Sequence, residues 1–302
     1  MVSDSVKARV VQTLGKWHEV WDGERVLPAF PGGRLGLCSR GLKNRVAVGD
    51  EVVIRPQPDG SALLEEVLPR RNKLSRKITF TGREHVVAAN VDVLAVMLAP
   101  TPALNTALLD RYLVAAHAQQ IPAVILVNKM DLLDERDERE ALAPYAALGY
   151  RVFPMSAKRR EGISAFSDSL PGTWTLLVGH TGVGKTTLAN DLAPGARRAV
   201  GEVDRRTGKG KHTTSSALAH RLKNRGVLID TAGIREFALW EVTWRQVETA
   251  FPEIAAENGR CRFPDCRHRS EPRCAVREAL AVGRLPEGRY DSYRTLLEES
   301  AG

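Results

Sequence analysis

The stretch Gly179-His180-Thr181-Gly182-Val183-Gly184-Lys185-Thr186 constrains the fold more than any other part of the chain. It matches G-x-x-x-x-G-K-[ST], a phosphate-cradling loop that works only between a buried strand and a helix N-terminus. Both flanks fit. Thr173 to Val178 reads T-W-T-L-L-V, an apolar run of strand length, and Thr187 to Leu192 continues as the start of a helix. Strand, glycine turn and helix N-terminus aim several backbone N–H groups at one point, and the glycines let that backbone approach phosphates without Cβ clashes. Lys185 is placed to neutralise β/γ-phosphate charge and the Thr186 hydroxyl to ligate Mg²⁺, with Thr187 closing the nucleotide-contacting set.

At 302 residues the chain has room for two or three domains. No apolar run reaches the ~18 residues of a membrane span, and Met1 to Val10 carries charges and no apolar core of a secretory signal. Three of the four cysteines are clustered, which suggests metal binding in a reducing compartment. Cytoplasmic location is expected. The net charge of +8 is unevenly spread. Gly195 to Arg225 holds nine Lys/Arg against Glu202 and Asp204, Arg70 to Lys77 adds five cations and no acid, and Arg260 to Arg277 adds six against Asp265 and Glu271. A single basic run is ordinarily a solvated face. Three of them, one adjoining a nucleotide site, favour a polyanionic partner such as nucleic acid.

In chain order, residues 1–72 read as a small all-β barrel. Val6 to Val11 and Trp17 to Trp21 are β-rich, Asp22-Gly23, Gly32-Gly33, Gly41, Gly49-Asp50 and Asp59-Gly60 punctuate at hairpin spacing, and Glu51 to Arg55 and Ala62 to Leu68 complete about five strands. Both an OB-type and an SH3-like barrel fit this pattern. Cys38 is expected in the barrel core. Arg70 to Arg83 reads as a basic, polar linker. From Val86 the pattern alternates strand and helix, with Val91 to Leu98 and Ile121 to Val127 as buried strands and Leu104 to Gln119 as a helix between them.

The second of these strands runs into Asn128-Lys129-Met130-Asp131. This is N-K-x-D at the carboxyl end of a parallel strand, where α/β proteins bind ligands. A carboxylate at Asp131 accepts from both the N1–H and the 2-amino group of guanine, a donor pair adenine lacks. Asp134 to Leu148 is expected as an acidic helix and Arg151 to Pro154 as a strand. Ser156-Ala157-Lys158 follows, placed to support the guanine oxygen through its backbone and to cover the base with the Lys158 stem.

These guanine motifs precede the phosphate loop, whereas in Ras-like GTPases they follow it, so residues 73–239 read as a circularly permuted P-loop GTPase domain. Past the loop, Gly201 to Thr214 is long, glycine-rich and basic, like a first switch that γ-phosphate and Mg²⁺ order through a threonine hydroxyl. Thr214 is preferred over Thr213. Ala217 to Leu222 and Val227 to Asp230 form a hairpin about Asn224-Arg225-Gly226, and Asp230-Thr231-Ala232-Gly233 is a D-x-x-G in which Asp230 holds Mg²⁺ and the Gly233 N–H senses γ-phosphate. Ile234 stands where Ras-like enzymes carry a water-orienting glutamine, so intrinsic hydrolysis is expected to be slow. His212 is the nearest group able to orient water or act as a base, and it equally suits a phosphate or RNA contact.

Residues 240–302 read as a helical domain interrupted by Cys261, Cys266, His268 and Cys274, a C-x4-C-x-H-x5-C pattern. Three thiolates and one imidazole complete a tetrahedral, structural Zn²⁺ site that substitutes for the core so short a segment lacks. Ala275 to Val282 and Glu287 to Glu299 finish as helices.

N-K-M-D, S-A-K, G-H-T-G-V-G-K-T-T, G-K-G-K-H-T-T and D-T-A-G in permuted order, between a barrel and a C-x4-C-x-H-x5-C segment, resemble the RsgA/YjeQ family of ribosome-small-subunit-dependent GTPases across essentially the whole chain. The resemblance implies an OB-like barrel, a permuted GTPase domain and a helical zinc-binding domain. It implies a slow GTPase, stimulated by the small (30S) ribosomal subunit, that assists late subunit maturation, contacts rRNA and releases other assembly factors. It places the catalytic histidine at His212 and makes a monomer the simple expectation. The phosphate loop departs from the family in carrying threonines where serines are common, the second switch in reading D-T-A-G where D-S-P-G is usual, and no long basic tail follows Glu299.

Three other classes compete. A GTP-gated rRNA-binding module with negligible turnover is favoured by Ile234, and hydrolysis that stays flat when subunits are added would support it. A P-loop ATPase or small-molecule kinase is opposed by Asn128 and Asp131. A duplex-reading zinc finger is opposed by the ligand spacing and the barrel. Asp131→Asn is expected to weaken selectivity for GTP over other nucleotides, measured by competition binding; an unchanged base preference would remove the guanine assignment.

Overall fold

The computed structural model of the protein describes residues 4–32, 46–101, 104–132, 142–193, 217–231 and 237–300. Strands β1 (Val6–Thr13), β2 (His18–Trp21), β3 (Val26–Pro31), β4 (Glu51–Pro56) and β5 (Ala62–Val67) run in the order β1-β2-β3-β5-β4, and β4 pairs back onto β1. All contacts are antiparallel except β3 with β5. That closure is the OB-type barrel rather than the SH3-like one. Its interior is small and aliphatic, built from Val10, Val20, Ala29, Val52, Ile54 and Leu64, each essentially without solvent exposure. Period-two alternation puts these residues inside and leaves their neighbours outside. Cys38 lies outside the described residues.

The stretch read as a linker instead contains strand β6 (Lys73–Lys77), paired with β7 (Glu84–Ala89) just beyond it. Only Leu74 of β6 is fully buried. Its polar positions are held by cross-strand partners: Lys73 Nζ lies 2.5 Å from Glu84 Oε1, and Ser75 Oγ donates to the same oxygen at 2.6 Å. Charge pairing across the hairpin supplies what hydrophobic alternation ordinarily supplies, so composition alone concealed it.

The central sheet is mostly parallel. β8 (Val93–Leu98), β9 (Ala123–Val127), β10 (Arg151–Pro154), β11 (Trp174–Gly179) and β13 (Val227–Asp230) are parallel, and β12 (Leu218–Arg221) lies antiparallel to β13. The order is β10-β9-β8-β11-β13-β12. The chain therefore grows outward from β8 to one edge, returns to the middle at β11, lays β12 on the far side and fills the gap with β13. The reversal falls between β8 and β11, a topological switch point at whose carboxyl ends a ligand crevice is expected. Helix α1 (Thr106–Ala118), capped by Asn105 Oδ1 on the Leu108 N–H at 2.9 Å, covers one face through Leu109, Tyr112 and Leu113. Helices α2 (Ile163–Ser167) and α3 (Lys185–Leu192) cover the other through Phe166, Leu188 and Ala189. Helix also spans 142–147, within the acidic stretch expected to be helical; 133–141 lies outside the described residues.

Barrel and central sheet are joined into one eleven-stranded sheet where Gln12 on β1 pairs with Leu218 on β12. The Arg9 guanidinium lies 3.6 Å from the ring centre of Trp174 and donates through Nε to the Gly49 carbonyl at 3.0 Å. Gly49 has φ +92°, and a Cβ there would stand 2.0 Å from the Ala89 carbonyl oxygen, so only glycine permits this approach. Next to it, buried Asp50 accepts from Arg70 Nε at 2.6 Å and Nη2 at 2.8 Å.

The C-terminal helices are α4 (Trp244–Thr249), α5 (Pro252–Ala255), α6 (Ala275–Ala281) and α7 (Glu287–Ser300). Their core of Val247, Phe251, Ile254, Val276, Tyr293 and Leu296 also takes in Val114 of α1. Beside that contact Arg289 is 3% exposed, ion-paired to Asp110 of α1 and, at 2.6 Å, to Glu253, with Phe251 4.4 Å under the guanidinium. Tyr145 Oη donates to Asp110 Oδ1 at 2.7 Å. A buried guanidinium held between two carboxylates is tolerable only as a complete set. Arg289→Ala leaves buried Asp110 and half-buried Glu253 uncompensated and is expected to destabilise the fold by about 3–5 kcal/mol. Urea unfolding of the full chain checks this, with the exposed Arg269→Ala, paired to exposed Glu298, as the near-neutral control.

Candidate nucleotide and metal sites

The phosphate loop leaves β11 at Gly179 and enters α3 at Lys185. Gly184 caps the helix with φ +106°, and a Cβ on it would lie 2.1 Å from Asn128 Nδ2. Gly179 has φ +148° and would press a Cβ to 2.2 Å from the Met97 carbonyl oxygen. Lys185 is 5% exposed and donates from Nζ to the carbonyls of Gly179 and His180, both at 2.8 Å. This holds the ammonium inside the loop. Burial lowers its pKa, and Asp230 opposes that shift. Val183 is buried, while Thr181, Gly182, Thr186 and Thr187 are exposed at the loop mouth and first turn of α3. His180 Nδ1 lies 2.8 Å from the Thr181 carbonyl.

The guanine motifs converge on this loop from the ends of β9 and β10, across β8. Asn128, 2% exposed at the end of β9, donates from Nδ2 to the Val183 carbonyl at 2.8 Å and accepts at Oδ1 from the Ala157 N–H at 2.8 Å. One side chain thus ties the phosphate loop to the S-A-K loop. The Ala157 N–H, read from the sequence as a guanine contact, is engaged here by Asn128. Lys129 has φ +64° and donates to the Thr101 carbonyl at 3.0 Å. Met130 to Leu132 make one 3-10 turn that presents Asp131. Ser156, 1% exposed, donates from Oγ to Asp131 Oδ1 at 2.7 Å, the leading reason the Asp131 carboxyl sits below its ordinary range. Lys158 is exposed beside them.

On the other side of the loop, Asp230 ends β13. Burial pushes its carboxyl up to about 6, against the pull of Lys185 and a hydrogen bond with the Thr186 hydroxyl. Asp230 Oδ1 is buried and has no hydrogen-bond partner. An orphaned carboxylate oxygen beside a threonine hydroxyl, at a phosphate-binding loop, suits a hard oxygen-seeking dication such as Mg²⁺. Thr231, which the sequence reading passed over, donates to the Leu177 carbonyl at 2.8 Å and pins the start of D-T-A-G to β11. His212, Thr213, Thr214, Gly233 and Ile234 lie outside the described residues.

A second cluster lies between α4 and α6. The ligand atoms of Cys261, Cys266, His268 and Cys274 lie within 4.8 Å of one another. His268 Nδ1 is 3.5 Å from Cys261 Sγ and 3.4 Å from Cys274 Sγ, and those two sulfurs are 4.0 Å apart. Tetrahedral Zn²⁺, with Zn–S of about 2.3 Å and Zn–N of about 2.0–2.1 Å, needs edges of about 3.8 Å and about 3.5 Å respectively. The donor set and its spacing fit zinc. Without a dication the thiols resist ionising together, and burial pushes that of Cys266 up to about 12. The far ring nitrogen, His268 Nε2, meets Glu248 Oε1 at 2.9 Å, which directs Nδ1 at the sulfurs. Glu248 was not foreseen, because twenty residues and a helix separate it from its partner.

Known proteins resemble the chain along most of its length. The model of the RsgA GTPase family matches residues 67–240. A protein of Actinobacillus pleuropneumoniae serotype 5b named small ribosomal subunit biogenesis GTPase RsgA is 40% identical over 275 residues, 88% of this chain and 79% of that one. One of the same name from Bacteroides fragilis is 35% identical over 97% of both chains. The crystal structure of YjeQ from Thermotoga maritima superposes over 99% of both chains with a TM-score of 0.77 at 28% identity. The chain belongs to the RsgA GTPase family.

Proposed function

We propose that the chain is a GTPase of small ribosomal subunit biogenesis, with residues 1–72, 73–239 and 240–302 as its barrel, nucleotide and zinc units. The observation that carries the nucleotide reading is Asn128. Its two bonds, to Val183 and to Ala157, fuse a guanine-reading loop and a phosphate loop into one pocket. In that pocket Asp131, braced by Ser156, selects guanine. The loop Gly179 to Thr187 takes the phosphates through its N–H groups and Lys185, and Lys158 covers the base. Thr186, Asp230 and Thr214 hold Mg²⁺, which supplies charge neutralisation on the phosphates when bound. Gly233 senses the γ-phosphate and His212 orients the attacking water. Cys261, Cys266, His268 and Cys274 hold one structural Zn²⁺.

The names of the relatives support the small subunit as the partner. Its rRNA would meet the basic segments at 195–225 and 260–277, whereas in 70–77 Arg70, Arg71 and Lys73 are held by Asp50, Asp92 and Glu84. Release of other assembly factors, a monomeric state and a cytoplasmic location complete the proposal. Ile234 supports a second reading, a GTP-gated rRNA binder that hardly turns over.

Hydrolysis by wild type and His212→Ala, with and without purified small subunits, separates the two. Subunits are expected to accelerate wild type at least about a hundredfold and the variant hardly at all, on the scale of a lost general base. Equal, slow rates for both would leave the binder reading standing. The cation site makes a separate prediction. A free Asp230 carboxyl near pKa 6 takes up a proton below that pH, and a dication must displace it. The Mg²⁺-dependent gain in nucleotide affinity is therefore present above about pH 6 and falls about tenfold per pH unit below it. Fluorescent-nucleotide titrations across that range, with Asp230→Asn expected to flatten the profile, check the sign.

A further inference from the structure

Three successive carbonyls of the phosphate loop are each held by a side chain of the loop itself. Lys185 Nζ takes the Gly179 and His180 carbonyls, and His180 Nδ1 lies 2.8 Å from the carbonyl oxygen of Thr181. A carbonyl oxygen only accepts, so in this bond Nδ1 carries the hydrogen and donates. A trans peptide sets its N–H opposite its C=O. Fixing the carbonyls of Gly179, His180 and Thr181 therefore fixes the N–H groups of His180, Thr181 and Gly182.

Beyond that point the backbone alternates in hand. Gly182 has φ +86° and Gly184 φ +106°, while Val183 between them keeps a negative φ. Such alternation gathers successive N–H groups into an anion-binding concavity. Thr181 and Gly182 are exposed, and their N–H groups donate to no group among the described residues.

The two donors differ in what a phosphate asks of them. An ammonium has three N–H bonds. Lys185 engages two carbonyls and must also serve the phosphates, so its hold on the loop is shared with the ligand. The His180 ring sits at an unspecified position of G-x-x-x-x-G-K-[ST], and no phosphate role of the motif draws on its Nδ1 hydrogen.

We propose that His180 is a positioning residue for phosphate binding. Its Nδ1–H holds the Thr181 carbonyl and so keeps the Gly182 N–H turned into the concavity, before the phosphates arrive and after Lys185 has turned to them. This rests on the nucleotide reading above and deepens it. The ring transfers no proton in this role.

The test is the affinity of the full chain for GDP and for guanosine, by competition against a fluorescent guanine nucleotide, in wild type, His180→Phe and His180→Asn. Phenylalanine keeps a ring without a donor, whereas Asn Nδ2 stands, like His Nδ1, one bond beyond Cγ. His180→Phe is expected to weaken GDP binding about two- to tenfold, the worth of one hydrogen bond, and to leave guanosine binding unchanged. His180→Asn is expected to recover most of that loss. An unchanged GDP affinity in His180→Phe, equal losses in the two variants, or equal losses for GDP and guanosine would each overturn the proposal. Wild type that binds GDP no more tightly than guanosine would instead remove the phosphate-loop reading itself. Histidine-selective ¹⁵N NMR of the free chain gives a second readout at about pH 8.5, where imidazoles are ordinarily neutral. The His180 resonance, assigned by its loss in His180→Phe, is expected to show the hydrogen on Nδ1; a hydrogen on Nε2 overturns the proposal.

Discussion

The two hydrogen bonds of the Asn128 amide are the constraint on which the rest of the pocket depends. A guanine nucleotide is long, and no single loop can hold both its base and its phosphates. In this fold the N-K-x-D and S-A-K loops follow β9 and β10 while the phosphate-loop motif follows β11, with β8 between them. Asn128 crosses that gap, donating to Val183 on one side and accepting from Ala157 on the other. It does so at 2% exposure, where each unmade bond would cost about 1–3 kcal/mol. Gly184 is the counterpart of this side chain, since any Cβ there would occupy the space of its amide nitrogen. Distance between the two halves of the ligand is therefore set by one residue pair rather than by the loops separately.

Circular permutation redistributes what anchors the phosphate side. Segments 194–216 and 232–236 each leave and rejoin the described structure at fixed points. The first rejoins at β12, which pairs with β1 of the barrel and whose Arg221 lies 4.5 Å over the Trp21 ring. The second rejoins at Phe237, packed against Tyr112 with ring centres 4.6 Å apart, and at Ala238, whose carbonyl accepts from the Lys77 N–H at 3.0 Å. The β12 pairing and the Lys77 bond draw on the N-terminal ninety residues, while Tyr112 belongs to α1. The barrel and the β6–β7 hairpin are thus structural parts of the nucleotide domain's perimeter, and the barrel's remaining outer face is left for other contacts.

Motifs whose chemistry is local were legible in the sequence, because strand, turn and helix follow one another along the chain. The phosphate loop, the N-K-x-D turn and the strand before D-T-A-G all lie where their spacing put them. The barrel was legible as about five strands, yet its type rested on β3 lying parallel to β5 and β4 closing onto β1, pairings that no local pattern encodes. The β6 strand was hidden because Lys73 and Ser75 satisfy themselves on Glu84 and leave only Leu74 as an apolar signal. Asn128 was visible as a motif member, but its task as a tie between loops emerges only when residues 55 positions apart meet.

Helix α4 shows how a metal site and a domain contact can be one device. Val247 enters the C-terminal core, Glu248 orients His268, and Thr249 Oγ1 lies 3.0 Å from His117 Nε2 at the end of α1. Three consecutive residues of a helix point in three directions about 100° apart, so fixing any two fixes the third. The capping box between Thr243 and Gln246 sets where the helix begins, and Gln246 also reaches toward the Ala118 carbonyl at 3.5 Å. A metal held by Cys261, Cys266, His268 and Cys274 would hold the imidazole, the imidazole would hold Glu248, and Glu248 would fix the rotation at which α4 meets α1. Through α4 the cysteine cluster bears on the orientation of α1, the helix that covers β8 and β9 beneath the N-K-x-D and S-A-K loops.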